Sequence, residues 1–155
     1  MKFRLTALSF LLACILILTS CEKDYDQTKV IEFSKTGIVM SAKNEVPTNS
    51  STATGSLNVF YSRATRILSY QFTWTGLTGN VTNMHIHGQA PVGYTAGVFQ
   101  GFTGYPTTPS GSFSGSLLID NVAIKEENLL NGLYYVNIHT LANIGGEIKG
   151  QITFN

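Results

Sequence analysis

The three histidines of the chain, the only ones it has, fall in two short stretches whose spacing suits chemistry. Met84-His85-Ile86-His87-Gly88 holds the first two, and Gly132-Leu133-Tyr134-Tyr135-Val136-Asn137-Ile138-His139-Thr140 holds the third. Alternate residues of a strand point to the same face. His85 and His87 therefore share a face, with Met84 and Ile86 on the other. By the same count His139 sits with Asn137 and Tyr135, while Val136 and Ile138 face away. If the two strands are neighbours, the three imidazoles converge. His-x-His on a strand is usable ligand geometry, and imidazole suits copper, zinc, iron or nickel. Three imidazoles with one open position is also a pattern of catalytic metals. No fourth strong ligand is evident, and strand histidines also serve as hydrogen-bonded structural residues. The residues thus leave two readings open, a metal site with copper or zinc as the candidate cofactor, and a structural network. A metal would need neutral imidazoles, so its affinity should fall as pH drops through about 6.5.

Two side chains are candidates to orient these rings from behind, Asn137 and Glu147. Glu147 opens Glu147-Ile148-Lys149-Gly150-Gln151-Ile152 after the glycine pair Gly145-Gly146. There Ile148 and Ile152 face one way with Phe154, and Glu147, Lys149 and Gln151 face the other. This second set reads either as a charged sheet face or as the source of an acceptor, Glu147, for His139 or His85.

The elements that must position these residues read as strands. Ile67 to Leu77 alternates most cleanly, with Leu68, Tyr70, Phe72 and Trp74 on one face and Ser69, Gln71, Thr73 and Thr75 opposite. Gly55 to Ser62 alternates likewise, and the polar Arg63 to Arg66 between them reads as a hairpin turn. Further strands are expected over 36–43, 81–87, 112–120, 133–140 and 147–154. Residues 89–111 form a long Gly/Pro/Thr/Tyr-rich excursion with a short strand at 96–102; its aromatic residues Tyr94, Phe99, Phe102 and Tyr105 either bind something or pack over the end of the fold. Residues 121–131 hold the one expected helical turn, with Glu126 and Glu127 as surface charges. Seven or eight short strands with polar turns predict an all-β, antiparallel Greek-key β-sandwich, immunoglobulin-like or superoxide-dismutase-like. Its expected core is Leu57, Val59, Leu68, Tyr70, Phe72, Trp74, Val136, Ile138, Ile148, Ile152 and Phe154.

The N-terminus reads as an export signal rather than as fold. Lys2 and Arg4 precede an apolar run from Leu5 to Leu18, too short for a confident membrane span. Leu18-Thr19-Ser20-Cys21 resembles the lipobox of bacterial lipoproteins, which implies cleavage before Cys21 and lipidation of its sulfur. The expected organisation is a signal peptide over 1–20, a lipidated cysteine and charged tether over 21–35, and one domain over 36–155. The expected location is the bacterial cell envelope, as an outer-membrane lipoprotein facing the periplasm or the surface, with the membrane as a partner through Cys21. Cys14 would be lost with the signal, which leaves the mature domain no cysteine for a disulfide or a thiolate site. Loss of Lys2 and Arg4 leaves eight basic residues against nine acidic, a net of −1. Without a basic patch, nucleic acid is excluded as an expected partner. No serine lies in a nucleophile-elbow context, and no glycine-rich phosphate loop opens a helix.

An ordered series of motifs adds to this. Asn44-Glu45-Val46-Pro47, Ala53-Thr54-Gly55, Leu68-Ser69-Tyr70, Gly76-Leu77-Thr78, His85-Ile86-His87-Gly88, the run from Gly132 to Thr140 and the run from Gly146 to Ile152 resemble the CHRD domain, from about Ile38 to Phe154. Lys149 stands where arginine is common in that family, and Asn143-Ile144 replaces a proline-containing approach to the glycine pair. The resemblance implies an extracytoplasmic β-sandwich module with a non-enzymatic binding or structural role and an unknown protein or small-molecule partner. A more distant likeness to copper/zinc superoxide dismutase implies His85, His87 and His139 as copper ligands. The bridging histidine and the zinc-site aspartate of that enzyme have no counterpart here, so an oxidoreductase ranks last among the functions considered.

Overall fold

The computed structural model describes residues 30–154. The expected signal peptide and Cys21 lie outside the described residues. Eight strands follow in chain order: β1 (Glu32–Ser41), β2 (Thr54–Ser62), β3 (Ile67–Thr75), β4 (Val81–Gly88), β5 (Val98–Gly101), β6 (Gly111–Leu118), β7 (Tyr134–Thr140) and β8 (Ile148–Gln151). One short helix, α1 (Glu126–Leu130), lies between β6 and β7. No helix among the described residues is long and apolar enough to cross a membrane.

All pairings are antiparallel, and the strands run in the order β5-β4-β7-β8-β1-β2-β3-β6. The fold is all-β, as its alternation requires. Instead of two separate sheets, hydrogen bonding makes one ladder that curls on itself. Its two four-stranded halves meet at a single paired position, Ser41 with Lys149. The neighbours β3/β6 and β4/β7 are distant in sequence, which is the crossover pattern of Greek-key folds.

The inner faces of the two halves meet in one core. Leu57, Val59 and Tyr61 of β2 and Leu68, Tyr70, Phe72 and Trp74 of β3 face Met84 and Ile86 of β4, Val136 and Ile138 of β7, and Ile148. Phe102, just past β5, packs against Tyr70 and Phe72 with ring centroids 5.2 and 5.7 Å away, and so closes the open side of the curl. Fully burying an aliphatic or aromatic side chain of this kind stabilises by about 1.5–3 kcal/mol. The expected core residues are all buried except Phe154, which packs against the cluster from its margin.

Two local expectations shift, and the open alternative for the loop aromatics falls mostly to packing. β1 starts at Glu32, ahead of the expected 36, because Phe33 pairs across to Tyr61 and stacks on its ring. Glu126 is not a free surface charge: it accepts from Tyr61 Oη and from Arg63 Nε, each at 2.6 Å. Of the loop aromatics, Phe99, Phe102 and Tyr105 pack into the core, and only Tyr94 is exposed.

Candidate metal centre

Pairing between β4 and β7 decides which side chains meet. His85 stands opposite Asn137, and His87 opposite Tyr135. Asn137 is opposite Lys149, and Lys149 opposite Ser41. A row His85–Asn137–Lys149 therefore crosses the outer face of the sheet, away from the core. A register shift between Val81 and Asn83 puts Asn83 opposite His139, beside His85 on that face.

An outer face of a small sandwich is ordinarily wet, but this one is covered over β7 and His87, with His85 half-buried and Asn83 exposed at its edge. Every residue of β7 is buried, those facing outward included. The connection from β4 to β5 folds back over the face. His87 Nδ1 lies 2.9 Å from the Ala96 carbonyl, Lys149 Nζ donates to the Tyr94 carbonyl at 2.7 Å, and Gln151 Nε2 donates to the Ala90 carbonyl at 2.9 Å. Tyr135 Oη accepts from the Ala96 amide, and its ring stacks on His87 at 4.8 Å and 1°. Lys149 Nζ also sits over that ring, 3.8 Å from its centroid. The β7–β8 connection covers the far end, where His139 Nδ1 meets the Ile144 carbonyl at 2.9 Å.

One ring nitrogen from each of His85, His87 and His139 lies within 4.8 Å of the other two. His85 Nδ1 and His139 Nε2 are 3.1 Å apart. The backbone sets the tautomers. A carbonyl oxygen only accepts, so Ala96 and Ile144 each fix a proton on Nδ1 of His87 and His139 and leave Nε2 as a lone pair. His87 Nε2 is buried and has no hydrogen-bond partner. The rings are also disfavoured as cations. Burial, then the neighbouring His139 and His87, pushes the His85 pKa down to about 4. Burial likewise lowers that of His139, with the Ile144 carbonyl opposing it. Neutral imidazoles with lone pairs turned toward one another are what a borderline or soft divalent ion requires.

Asn137 does touch the site, with Oδ1 2.9 Å from His139 Nε2. Glu147 does not. Its buried carboxylate accepts from Ser51 Oγ, the Thr78 amide and hydroxyl, and Thr140 Oγ, and it bonds no histidine. The reason is position: Glu147 pairs ahead of β8, its amide donating to the Ile138 carbonyl, and it points into the turn end of the fold. The charged-face reading of Lys149 also fails, since it is 2% exposed.

The residues that sequence reasoning missed here are Glu45, Tyr135 and Lys149. Glu45 is buried, and burial raises its pKa to about 7 against the pull of the Lys149 charge and the Asn137 amide. Gly146, at φ 126°, allows this approach, because a Cβ there would collide with the Glu45 carboxylate and lie 2.8 Å from Asn137 Nδ2. The signal was present in the motifs, since Glu45, Tyr135, Gly146 and Lys149 all belong to the runs that carry the resemblance.

A family model for the CHRD domain matches residues 36–152. The chain belongs to the CHRD-domain family. No curated protein and no solved structure matches it. Every residue of the histidine cluster and its surround, from Glu45 to Lys149, lies inside the matched CHRD segment. The match shows a small extracellular-type β-domain module, and the chemistry of that module has to come from the site itself.

Proposed function

We propose that this CHRD domain is a non-enzymatic binding module of the bacterial cell envelope, tethered by lipid on Cys21, which holds one transition-metal ion, copper or zinc, at His85, His87 and His139. One observation carries the metal reading: His87 Nε2 is buried without any partner, beside His139, whose Nδ1 faces a carbonyl and leaves Nε2 as a lone pair, and beside the His85 ring. An orphaned buried acceptor costs about 1–3 kcal/mol, and a bound cation removes that cost. Three neutral ligands bring no charge of their own, so the ion keeps its full charge and an open side for a ligand or partner group.

The tether reading rests on the lipobox-like Leu18-Thr19-Ser20-Cys21 and on the charged run that follows it. Cys21→Ala should leave unlipidated precursor, and a wild-type protein that carries no lipid and partitions as soluble would sink the tether. For the metal, His139→Ala is the test. It should remove most of the bound metal while the far-UV circular dichroism spectrum stays that of the wild type. The competing structural reading draws on the 3.1 Å contact between His85 and His139. It expects no stoichiometric metal in either protein, and a loss of about 1–3 kcal/mol of stability on substitution.

A further inference from the structure

We propose that Asn137 Oδ1 is a fourth donor to this site, that Glu45 is the residue positioning its amide, and that the resulting N₃O set favours Cu(II). The inference rests on the three-histidine reading above. It starts from a hydrogen-bond conflict. His139 Nδ1 faces the Ile144 carbonyl at 2.9 Å, so the neutral ring presents a lone pair at Nε2. Asn137 Oδ1, which also has only lone pairs, stands 2.9 Å from that Nε2. Two acceptors at this distance repel each other unless something positive lies between or beside them.

While Glu45 is charged, as it is at pH 8, rearrangement within the protein does not resolve the conflict. His85 Nδ1, at 3.1 Å, can donate to His139 Nε2, but Asn137 Oδ1 is then left with no donor. Turning the amide over would put Oδ1, in place of the amide nitrogen, on the side of Glu45, whose buried Oε1 has no hydrogen-bond partner and crowds Gly146 together with Asn137 Nδ2. Glu45 cannot easily withdraw. It is 4% exposed, packed on Gly146, and its charge is matched by the buried Lys149. Glu45 and Lys149 therefore hold the nitrogen end of the amide away from the histidines and the oxygen end toward them. A metal ion accepting both lone pairs satisfies Asn137 Oδ1 and His139 Nε2 at once.

Donor spacing speaks to which ion. With metal–ligand bonds of about 2.0–2.1 Å, donors 2.9 and 3.1 Å apart subtend roughly 90–100° at the ion. A tetrahedral zinc site would spread the same donors to roughly 3.4 Å. Near-right angles among nitrogen and oxygen donors are tetragonal, the preference of Cu(II) and Ni(II), and Cu(II) binds the more strongly of the two.

The experiment titrates Cu(II) into the full chain at pH 8, with glycine as a competing chelator, and records electron paramagnetic resonance. The expected result is one axial Cu(II) signal per chain with nitrogen superhyperfine structure. Asn137→Ala should weaken Cu(II) by about 10–100-fold and change the hyperfine pattern. Asn137→Asp, which puts a carboxylate oxygen in the same place, should restore affinity with a shifted spectrum. Glu45→Gln should move the wild-type spectrum toward that of Asn137→Ala while circular dichroism stays unchanged. Wild-type affinity and spectrum in Asn137→Ala would overturn the fourth-donor role and leave the three-histidine reading standing. A wild-type protein that takes up no Cu(II) would overturn both. Where Asn137→Ala fails to fold, Asn137→Asp decides: a shifted spectrum supports the role, and an unshifted one overturns it.

Discussion

Replacing Glu147 with Ala should cost about 3–5 kcal/mol of stability and leave the histidine site intact. Glu147 is fully buried. Its carboxylate accepts four hydrogen bonds: 2.6 Å from Ser51 Oγ, 2.8 Å each from the Thr78 amide and hydroxyl, and 2.6 Å from Thr140 Oγ. A hydrogen bond to a charged group is worth about 1.5–3 kcal/mol. The full sum is an upper bound, because three of the donors are hydroxyls that can turn to other acceptors. The Thr78 amide cannot turn, and its orphaning together with the cavity sets the lower end, about 3 kcal/mol. Burial acts to raise the Glu147 pKa, but the bonds from Ser51, Thr140 and Thr78 outweigh it and the net direction is down. A carboxylate lowered on folding stabilises above its unfolded pKa and loses that contribution as pH falls through the folded value. The gap between wild type and Glu147→Gln should therefore narrow on acidification. Urea unfolding at neutral pH, followed by the fluorescence of the single tryptophan, Trp74, measures the effect. A Glu147→Ala protein within about 1 kcal/mol of wild type, or one that keeps its stability and loses metal, would refute the clamp role and return Glu147 to the histidines.

Three further outcomes follow from the same structure. Trp74→Ala should destabilise by about 3–5 kcal/mol by denaturant melt, as a large-to-small core change that also strips the Thr108 carbonyl of its 3.0 Å donor; a loss under about 1 kcal/mol would mean the core is misplaced. Gly146→Ala puts a methyl group where Glu45 and Asn137 pack, at a φ that disfavours a side chain, so it should lower both thermal stability and metal affinity, and an unaffected metal isotherm would show that Glu45 has no part in the site. On pH, His85, held near 4, and His139, also lowered, are neutral in the fold but protonate near 6.5 when unfolded. The unfolded chain then binds more protons, and their contribution to stability falls as pH drops from about 6.5 toward 4. Glu45, raised to about 7, acts in the opposite sense: its contribution falls as pH rises from 4.5 to 7. Glu45→Gln should therefore lose stability on acidification from pH 7 more steeply than wild type does, and parallel curves would contradict the assignment.

Most of the framework was legible because period-2 alternation and burial are the same fact wherever one face is wet. β3 reads Leu68, Tyr70, Phe72 and Trp74 inward and the rest outward, and the structure agrees residue by residue. The histidine faces followed from the same rule. The rule fails where both faces are covered. β7 is buried throughout, and nothing in its own alternation shows that the β4–β5 connection lies across it. For that reason Lys149 reads as a surface charge when it is a buried cation over Tyr135. For a different reason, the burial of Glu45 was not legible from local pattern, although the residue lies in a family motif. It follows β1 in a polar loop, where a glutamate is normally solvated, and only the bare Gly146 opposite lets it pack inward. Glu147 was misread because its partners, Ser51, Thr78 and Thr140, are three hydroxyl residues far apart in sequence.

The central claim, that His85, His87 and His139 hold one transition-metal ion, is tested most directly by metal per chain. Protein purified without a nickel column, equilibrated with copper or zinc and dialysed against buffer, should retain one ion per chain by elemental analysis. Retention near zero for both metals would contradict the claim.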